Sequence, residues 1–571
     1  MEEKKKILKI SYVLIAITVT LIVLGKIILE YNFVGTHDGY LHLIKIIGVS
    51  DIIEKGQFPP IIQSGFCNGY AINLFYNPLT TYISILFGNF FSNYLVGIKF
   101  MLIFMMILAG IFMYFFIKEV TDRKDIGLLS AIFYITAPYY LSNIYVRGAI
   151  GETAALTFLP LLFLGLYNLF NSNGEKHYII SFAAIGLLLT HNITTLYATL
   201  FSVIYVLVNI RKLKEKDIIK KIIINVLFII GITLFFIFPL GLHKFSGDYV
   251  VFNSELMRTT GERVAENVLD VSQLFTEKEN QEIIFKINFV QIILFVPFIY
   301  FQKFVENKNK KIYLSFSILA ITTAVSMLIK EIWLNAPDIL CIIQFPWRLL
   351  GFVNLFMSTI AAINASILLE KILKIDKDRC IFIFILIAML ALGISYTSDY
   401  KFNVSGKYDE KSLKFIEKNI DNIEYGNINR EYMPSKTYKN LRINPERINM
   451  KKAVIISGDA SIIAESKKEL VYEINLENIE KDTNIEIPFL YYIVYNAYFE
   501  SENKEKIELE TQESDYGFVE VKLKNEHTKG RVIVEYKTPI SYYICYIISG
   551  ITLVVLIMYI INYKKKITNR E

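Results

Sequence analysis

Long apolar runs separated by short polar stretches fill most of the chain up to about residue 397. A hydrocarbon layer of about 30 Å takes roughly 20 helical residues to cross. By that measure the runs near 8–29, 94–117, 126–146, 153–170, 178–190, 193–210, 222–242, 289–302, 312–329, 349–369, 380–397 and 541–561 predict about twelve membrane-spanning helices. The run from Pro78 to Phe91 is too short to cross, begins at a proline and contains Gly88, so it reads as an interfacial or re-entrant helix. Between 398 and 540 the pattern changes to polar and charged residues with short clusters of β-formers, such as Val454-Ile455-Ile456, Phe518 to Leu523 and Arg531 to Tyr536. The expected architecture is an α-helical polytopic membrane domain over 1–397, a small β-rich domain over 398–540, and a last anchor with a basic tail over 541–571.

Composition agrees with that reading. Of 571 residues, 54% are hydrophobic and 14% aromatic, and the mean hydropathy is +0.42, with the excess gathered into the long runs. The basic clusters Arg211 to Lys216, Lys308 to Lys311, Lys371 to Arg379 and Lys564-Lys565-Lys566 thread to the same side as Lys4-Lys5-Lys6. The positive-inside rule then puts both termini in the cytoplasm and the β-rich domain outside the cell membrane, together with a long first loop over 30–93. Counting Pro78 to Phe91 as a span would reverse this agreement. The first run lacks a small-residue cleavage site and is expected to stay as a signal anchor. The net charge of +6 is sorted by side rather than collected into a patch, so no nucleic-acid partner is indicated. Cys67, Cys341, Cys380 and Cys545 show no metal-type spacing and imply no disulfide framework; Cys67 and Cys341 are a pair the threading would allow on one side.

The candidate chemistry starts in the first loop, at Thr36-His37-Asp38-Gly39-Tyr40-Leu41-His42. Ionisable groups beside hydrocarbon lose hydration and by default mark a site. On a helix, Asp38 and His42 would share one face. The same threading brings Arg147 and Glu152, His191, and Arg348 of Gln344-Phe345-Pro346-Trp347-Arg348 to that membrane face from separate segments. A phosphate-bearing, lipid-anchored substrate would need such a set. Each feature has a plainer reading: an interfacial turn at 36–42, an ordinary Arg147–Glu152 ion pair, a snorkelling Arg348, and an interfacial belt of Tyr and Trp. The sequence contains no P-loop, dinucleotide fingerprint, nucleophile elbow, zinc-finger spacing or internal repeat, which disfavours soluble nucleotide chemistry.

Taken in order, the Thr36 to His42 run, Gly56-Gln57-Phe58-Pro59-Pro60, Gly69-Tyr70 with Phe75-Tyr76-Asn77-Pro78-Leu79, Arg147-Gly148-x-x-x-Glu152, His191 and Gln344 to Arg348 resemble the bacterial membrane proteins labelled 6-pyruvoyl-tetrahydropterin synthase-related. Their architecture is similar to that of GT-C glycosyltransferases. The resemblance implies an acid in the first outer loop, matched by Asp38, a second acid in the next, matched by Glu152, and a polyprenyl-phosphate-linked sugar as donor. The chain departs from those enzymes in having one histidine-flanked Asp in place of a paired acidic motif, and it lacks a Trp-Trp-Asp signature, which argues against peptide asparagine as acceptor. No soluble pterin fold with a histidine-bound zinc is recognisable.

Sugar transfer from a lipid phosphate needs a base for the acceptor proton and a cation for the departing phosphate. Asp38 is the candidate base and Arg348 the phosphate clamp, with Arg147, His191 and His37 as further substrate contacts. Glu152 and His42 are open between two roles: ligands, with Asp38, of a divalent metal ion, or hydrogen-bonding positioners. The expected function is transfer of a sugar to an extracytoplasmic acceptor, which would be envelope glycan, lipid or protein. A non-catalytic glycan-binding component and a transporter of lipid-linked sugars are the alternatives.

Overall fold

The computed structural model describes residues 28–171, 174–278, 281–396, 406–525 and 527–568. Five helices among them are long and apolar enough to cross a membrane: Tyr94–Thr121, Ile150–Asn171, Lys216–Ser246, Pro346–Ile372 and Ile540–Lys565. Shorter apolar helices accompany them, including Leu79–Phe91, Ile179–Leu188, Asn192–Val208 and Arg379–Ser395. The expected span at 8–29 lies almost wholly outside the described residues.

Several of the expected spans are broken, and proline explains two of them. Residues 126–146 become the helix Lys124–Ile135, the short helix Pro138–Ser142 and a π-turn Asn143–Arg147. Pro138 has no N–H to give the preceding turn, so it opens a new helix. Pro297 likewise divides 289–302 into Phe289–Phe295 and Phe298–Phe301. The helix Leu79–Phe91 reaches only about 20 Å at 1.5 Å per residue, short of a bilayer. It packs on Tyr94–Thr121, where a Cβ on Gly97 would stand 2.4 Å from the Ser84 carbonyl oxygen. Small residues let helix backbones approach this closely.

Burial ranks the helices. The apolar windows of Ile150–Asn171 and Pro346–Ile372 are 89% and 94% buried inside the protein, while that of Ile540–Lys565 is only 17% buried. The first two form the centre of the bundle and the last presents most of its surface outward. Several polar side chains in this centre are satisfied internally. Asn354 donates to the Tyr134 carbonyl at 2.9 Å, and Gln291 to the Phe133 carbonyl and the Ser358 hydroxyl, each at 3.0 Å. The two central helices begin with Glu152 in the first turn of one and Arg348 in the first turn of the other.

The first loop is more ordered than its sequence suggests. It contains a helix, Gly39–Glu54, with apolar residues on every side and most of its side chains buried. Residues 63–72 then clip the C-terminal part to the bundle. The Cys67 N–H donates to the Ile423 carbonyl, the Leu490 N–H to the Asn68 carbonyl at 2.8 Å, and the Ala71 N–H to the Tyr492 hydroxyl at 3.2 Å.

The C-terminal part opens with the helix Gly406–Lys418, whose Asp409 accepts from the Val34 N–H at 2.9 Å and lies 3.5 Å from Lys99. Nine strands follow: β1 (Val454–Ser457), β2 (Ser461–Lys468), β3 (Val471–Ile479), β4 (Thr483–Leu490), β5 (Tyr495–Ser501), β6 (Lys506–Leu509), β7 (Thr511–Glu513), β8 (Phe518–Leu523) and β9 (His527–Tyr536). They form two antiparallel sheets, ordered β1-β4-β8-β7 and β2-β3-β9-β5-β6. Alternating burial along β3 and β9 places Tyr472, Ile474, Leu476, Val532 and Val534 in the core. All four cysteines are free and buried, so Cys67 and Cys341 are not bridged.

Candidate functional site

Asp38 caps the helix Gly39–Glu54 and is fixed by its backbone. Its N–H donates to the Arg147 carbonyl at 2.8 Å, and its carbonyl accepts from the His42 N–H at 3.0 Å. The two loops meet so closely that both need glycine. A Cβ on Gly148, where φ is +62°, would stand 2.1 Å from the Thr36 hydroxyl, and one on Gly39 would collide with the Phe33 carbonyl. The half-buried Asp38 carboxylate has no hydrogen-bond or ion-pair partner among the described residues. One turn on, the His42 ring is buried edge-on to Tyr76, with centroids 5.6 Å apart. Burial lowers its pKa to about 4, against the opposing pull of the Asp38 charge.

Glu152 is the centre of a buried ionic cluster. Its carboxylate accepts from the Tyr139 hydroxyl at 2.6 Å and the Arg147 guanidinium at 2.7 Å, and stands 3.6 Å from Nε of Arg348. Arg147 also donates to Asn143 Oδ1 and lies 4.8 Å from the centroid of Trp347. The π-turn that follows the break at Pro138 gives Asn143 and Arg147 their place beside Glu152. Arg348, in the turn Pro346–Leu349, donates to the Ile343 carbonyl at 3.0 Å and to Gln344 Oε1 at 2.9 Å, and its Nε is buried with no hydrogen bond. His191 caps the helix Asn192–Val208, its Nδ1 accepting from the Thr194 N–H.

A cavity of about 740 Å³ joins these groups, lined by Asp38, His42, Arg147, Glu152, His191 and Arg348. Six of the seven residues singled out in the sequence thus meet at one opening. His37 does not line it; its ring lies 2.8 Å from Glu282, with both side chains exposed. Sequence reasoning missed Lys45, Tyr76 and Glu431, which also line the cavity. Lys45 was within reach, since residues 38, 42 and 45 share one face of a helix. Glu431 sits in a short turn of the C-terminal part, almost 400 residues from Asp38 by numbering, and no pattern announces it. Burial raises its carboxyl above the usual range, and the Asp38 charge adds to the shift. The remaining wall is largely apolar and includes Phe75, Phe252, Tyr432, Ile237 and Leu240.

Among the described residues no group of three or more His, Cys, Asp and Glu is placed to hold a metal ion. Glu152 is committed to Tyr139 and Arg147. Of the expected ligand set, that leaves Asp38 and His42 facing the cavity one turn apart.

Residues 74–403, more than half of the chain, match the 6-pyruvoyl-tetrahydropterin synthase related domain, a family of membrane proteins. The chain belongs to this family. The matched segment contains Arg147, Glu152, His191 and Arg348, while Asp38, His42, Lys45 and Glu431 lie outside it. An uncharacterized protein of Lactococcus lactis subsp. cremoris is 32% identical over 244 residues, which cover 40% of this chain and 39% of that relative's length. Among solved structures, the oligosaccharyltransferase of Archaeoglobus fulgidus tethered to an acceptor peptide aligns at 13% identity, covering 80% of this chain and 70% of that one with a TM-score of 0.39. Its apo form aligns at 12% identity, covering 88% and 74%, with a TM-score of 0.34.

Proposed function

We propose that this family member is a membrane glycosyltransferase that moves a sugar from a polyprenyl-phosphate-linked donor to a hydroxyl of an extracytoplasmic acceptor. The observation that carries the reading is the division of labour in the cavity. A carboxylate, Asp38, shares it with an arginine, Arg348, and among the described residues neither that carboxylate nor the Arg348 Nε has a hydrogen-bond partner. In this reading Asp38 takes the proton from the acceptor hydroxyl as that oxygen attacks the anomeric carbon. The bond from that carbon to the phosphate oxygen breaks, and the phosphate leaves with the electron pair toward Arg348.

Glu152 takes a different role from Asp38. Four donors, on Tyr139, Asn143, Arg147 and Arg348, hold its carboxylate or stand beside it, so it positions Arg147 and Arg348 and is poorly placed to accept a proton. His42, neutral near pH 7, is a hydrogen-bonding neighbour of the base. The apolar wall suits the isoprenoid end of the donor. The sorting of basic residues by side supports an active face outside the cell.

The test is to incubate the purified protein with polyprenyl-phosphate sugars and follow release of the polyprenyl phosphate. Release that depends on an added acceptor supports the reading. Glycan binding without release by any such donor would favour a non-catalytic envelope component.

A further inference from the structure

Lys45 is 5% exposed, and its Nζ has no hydrogen-bond partner among the described residues. The ammonium sits 3.8 Å from the centroid of the Tyr76 ring, on the lining of the cavity. A lysine that only filled space would be replaced by an apolar residue at no loss, and one that snorkelled would carry its charge to water; this one does neither. The ring offsets part of the desolvation, yet all three N–H donors remain unused. Burial holds its pKa well below the ordinary lysine range, so the charged form is costly without an anion, and the described protein offers it none in hydrogen-bonding range.

Beyond the Arg147–Glu152 pair, three cationic side chains line the cavity, Arg348, Lys45 and Lys244; Lys244 is exposed, whereas Arg348 and Lys45 each hold a buried nitrogen with no hydrogen-bond partner among the described residues. A lipid-linked sugar monophosphate brings one negative charge, which Arg348 can receive. Lys45 stands about 10 Å along the helix from the proposed base at Asp38, on the same face, where a longer anionic linkage would extend past the leaving oxygen. We infer that Lys45 receives the second phosphoryl group of a diphosphate-linked lipid donor, so that the substrate class is a polyprenyl diphosphate sugar. This rests on the glycosyltransferase reading above.

Binding separates the two. Full-length protein in detergent is titrated with polyprenyl monophosphate and polyprenyl diphosphate of equal chain length, neither carrying sugar. Wild type should bind the diphosphate about tenfold tighter or more, the size expected of hydrogen bonds to a charged group. Lys45→Met and Lys45→Gln should abolish that preference and leave monophosphate binding unchanged. Without lipid, Lys45→Met should unfold at a higher temperature than wild type, because it removes a buried amine whose donors have no partner among the described residues. Equal affinity of wild type for the two lipids, a preference that survives both substitutions, or a Lys45→Met protein less stable than wild type would each overturn the assignment while leaving the glycosyltransferase reading in place. Failure of wild type to bind either lipid would overturn both.

Discussion

Glu152, in the first turn of one central helix, places its carboxylate 3.6 Å from Nε of Arg348, in the first turn of the other. The same carboxylate holds Arg147 at 2.7 Å, so one acid joins the two most deeply buried of the five long apolar helices to the segment that follows the break at Pro138. Removing it leaves two largely buried guanidinium groups without that anion. Glu152→Gln is expected to cost about 3–5 kcal/mol of stability, as breaking a buried pair does, and to weaken donor binding as Arg348 shifts. Thermal unfolding in detergent checks the first effect and a donor titration the second. A variant as stable as wild type would mean the cluster is not charged as described.

Arg348 separates geometry from charge. Arg348→Lys keeps the charge but loses the planar fork and its bonds to Ile343 and Gln344. Donor affinity should fall by about 1.5–3 kcal/mol, with Arg348→Ala at the upper end. Donor titrations unchanged in both variants would assign Arg348 to its contacts with Ile343, Gln344 and Glu152 alone.

Sidedness is testable against a quiet background, because the four native cysteines are buried. A cysteine at Lys468, exposed on β2, should react with an impermeant reagent on intact cells. One at Lys214, exposed in the basic loop, should react only after lysis. The reverse pattern would invert the topology.

The helices that a bilayer demands were legible because lipid imposes a length, and the runs at 94–117, 153–170 and 222–242 fall within observed helices. The breaks at Pro138 and Pro297 sit inside uniformly apolar runs, where hydropathy hides them. The helix Gly39–Glu54 was missed as an element because it is apolar all round and carries no amphipathic period. Of the strands, β2 and β6 were unreadable, being mostly exposed edge strands with few β-formers on a buried face. The candidate site was visible wherever charge interrupts an apolar stretch, as at Asp38, Glu152 and Arg348. Glu431 was invisible, because only the docking of the C-terminal part through Tyr70, Tyr432 and Tyr492 puts it there.

The pH dependence of stability follows from His42. Burial lowers its folded pKa to about 4 from an ordinary value near 6.5. The unfolded chain therefore binds a proton first as pH falls, and this contribution is fully present above pH 6.5 and lost progressively from there toward pH 4. The loss approaches ~3 kcal/mol across that window. His42→Gln should flatten this part of the stability profile relative to wild type, as chemical denaturation at several pH values would reveal. Parallel profiles for the two proteins would show that His42 takes up its proton as readily folded as unfolded.

The central claim is that Asp38 is the base of a sugar transfer, and initial rates of Asp38→Asn on a donor the wild type uses test it most directly. The substitution keeps size and hydrogen bonding while removing the charge that would accept the proton. The carboxylate holds no other described residue, so folding and membrane insertion should be unchanged. Turnover should fall by about 10²-fold or more. Transfer by Asp38→Asn at the wild-type rate would contradict the account.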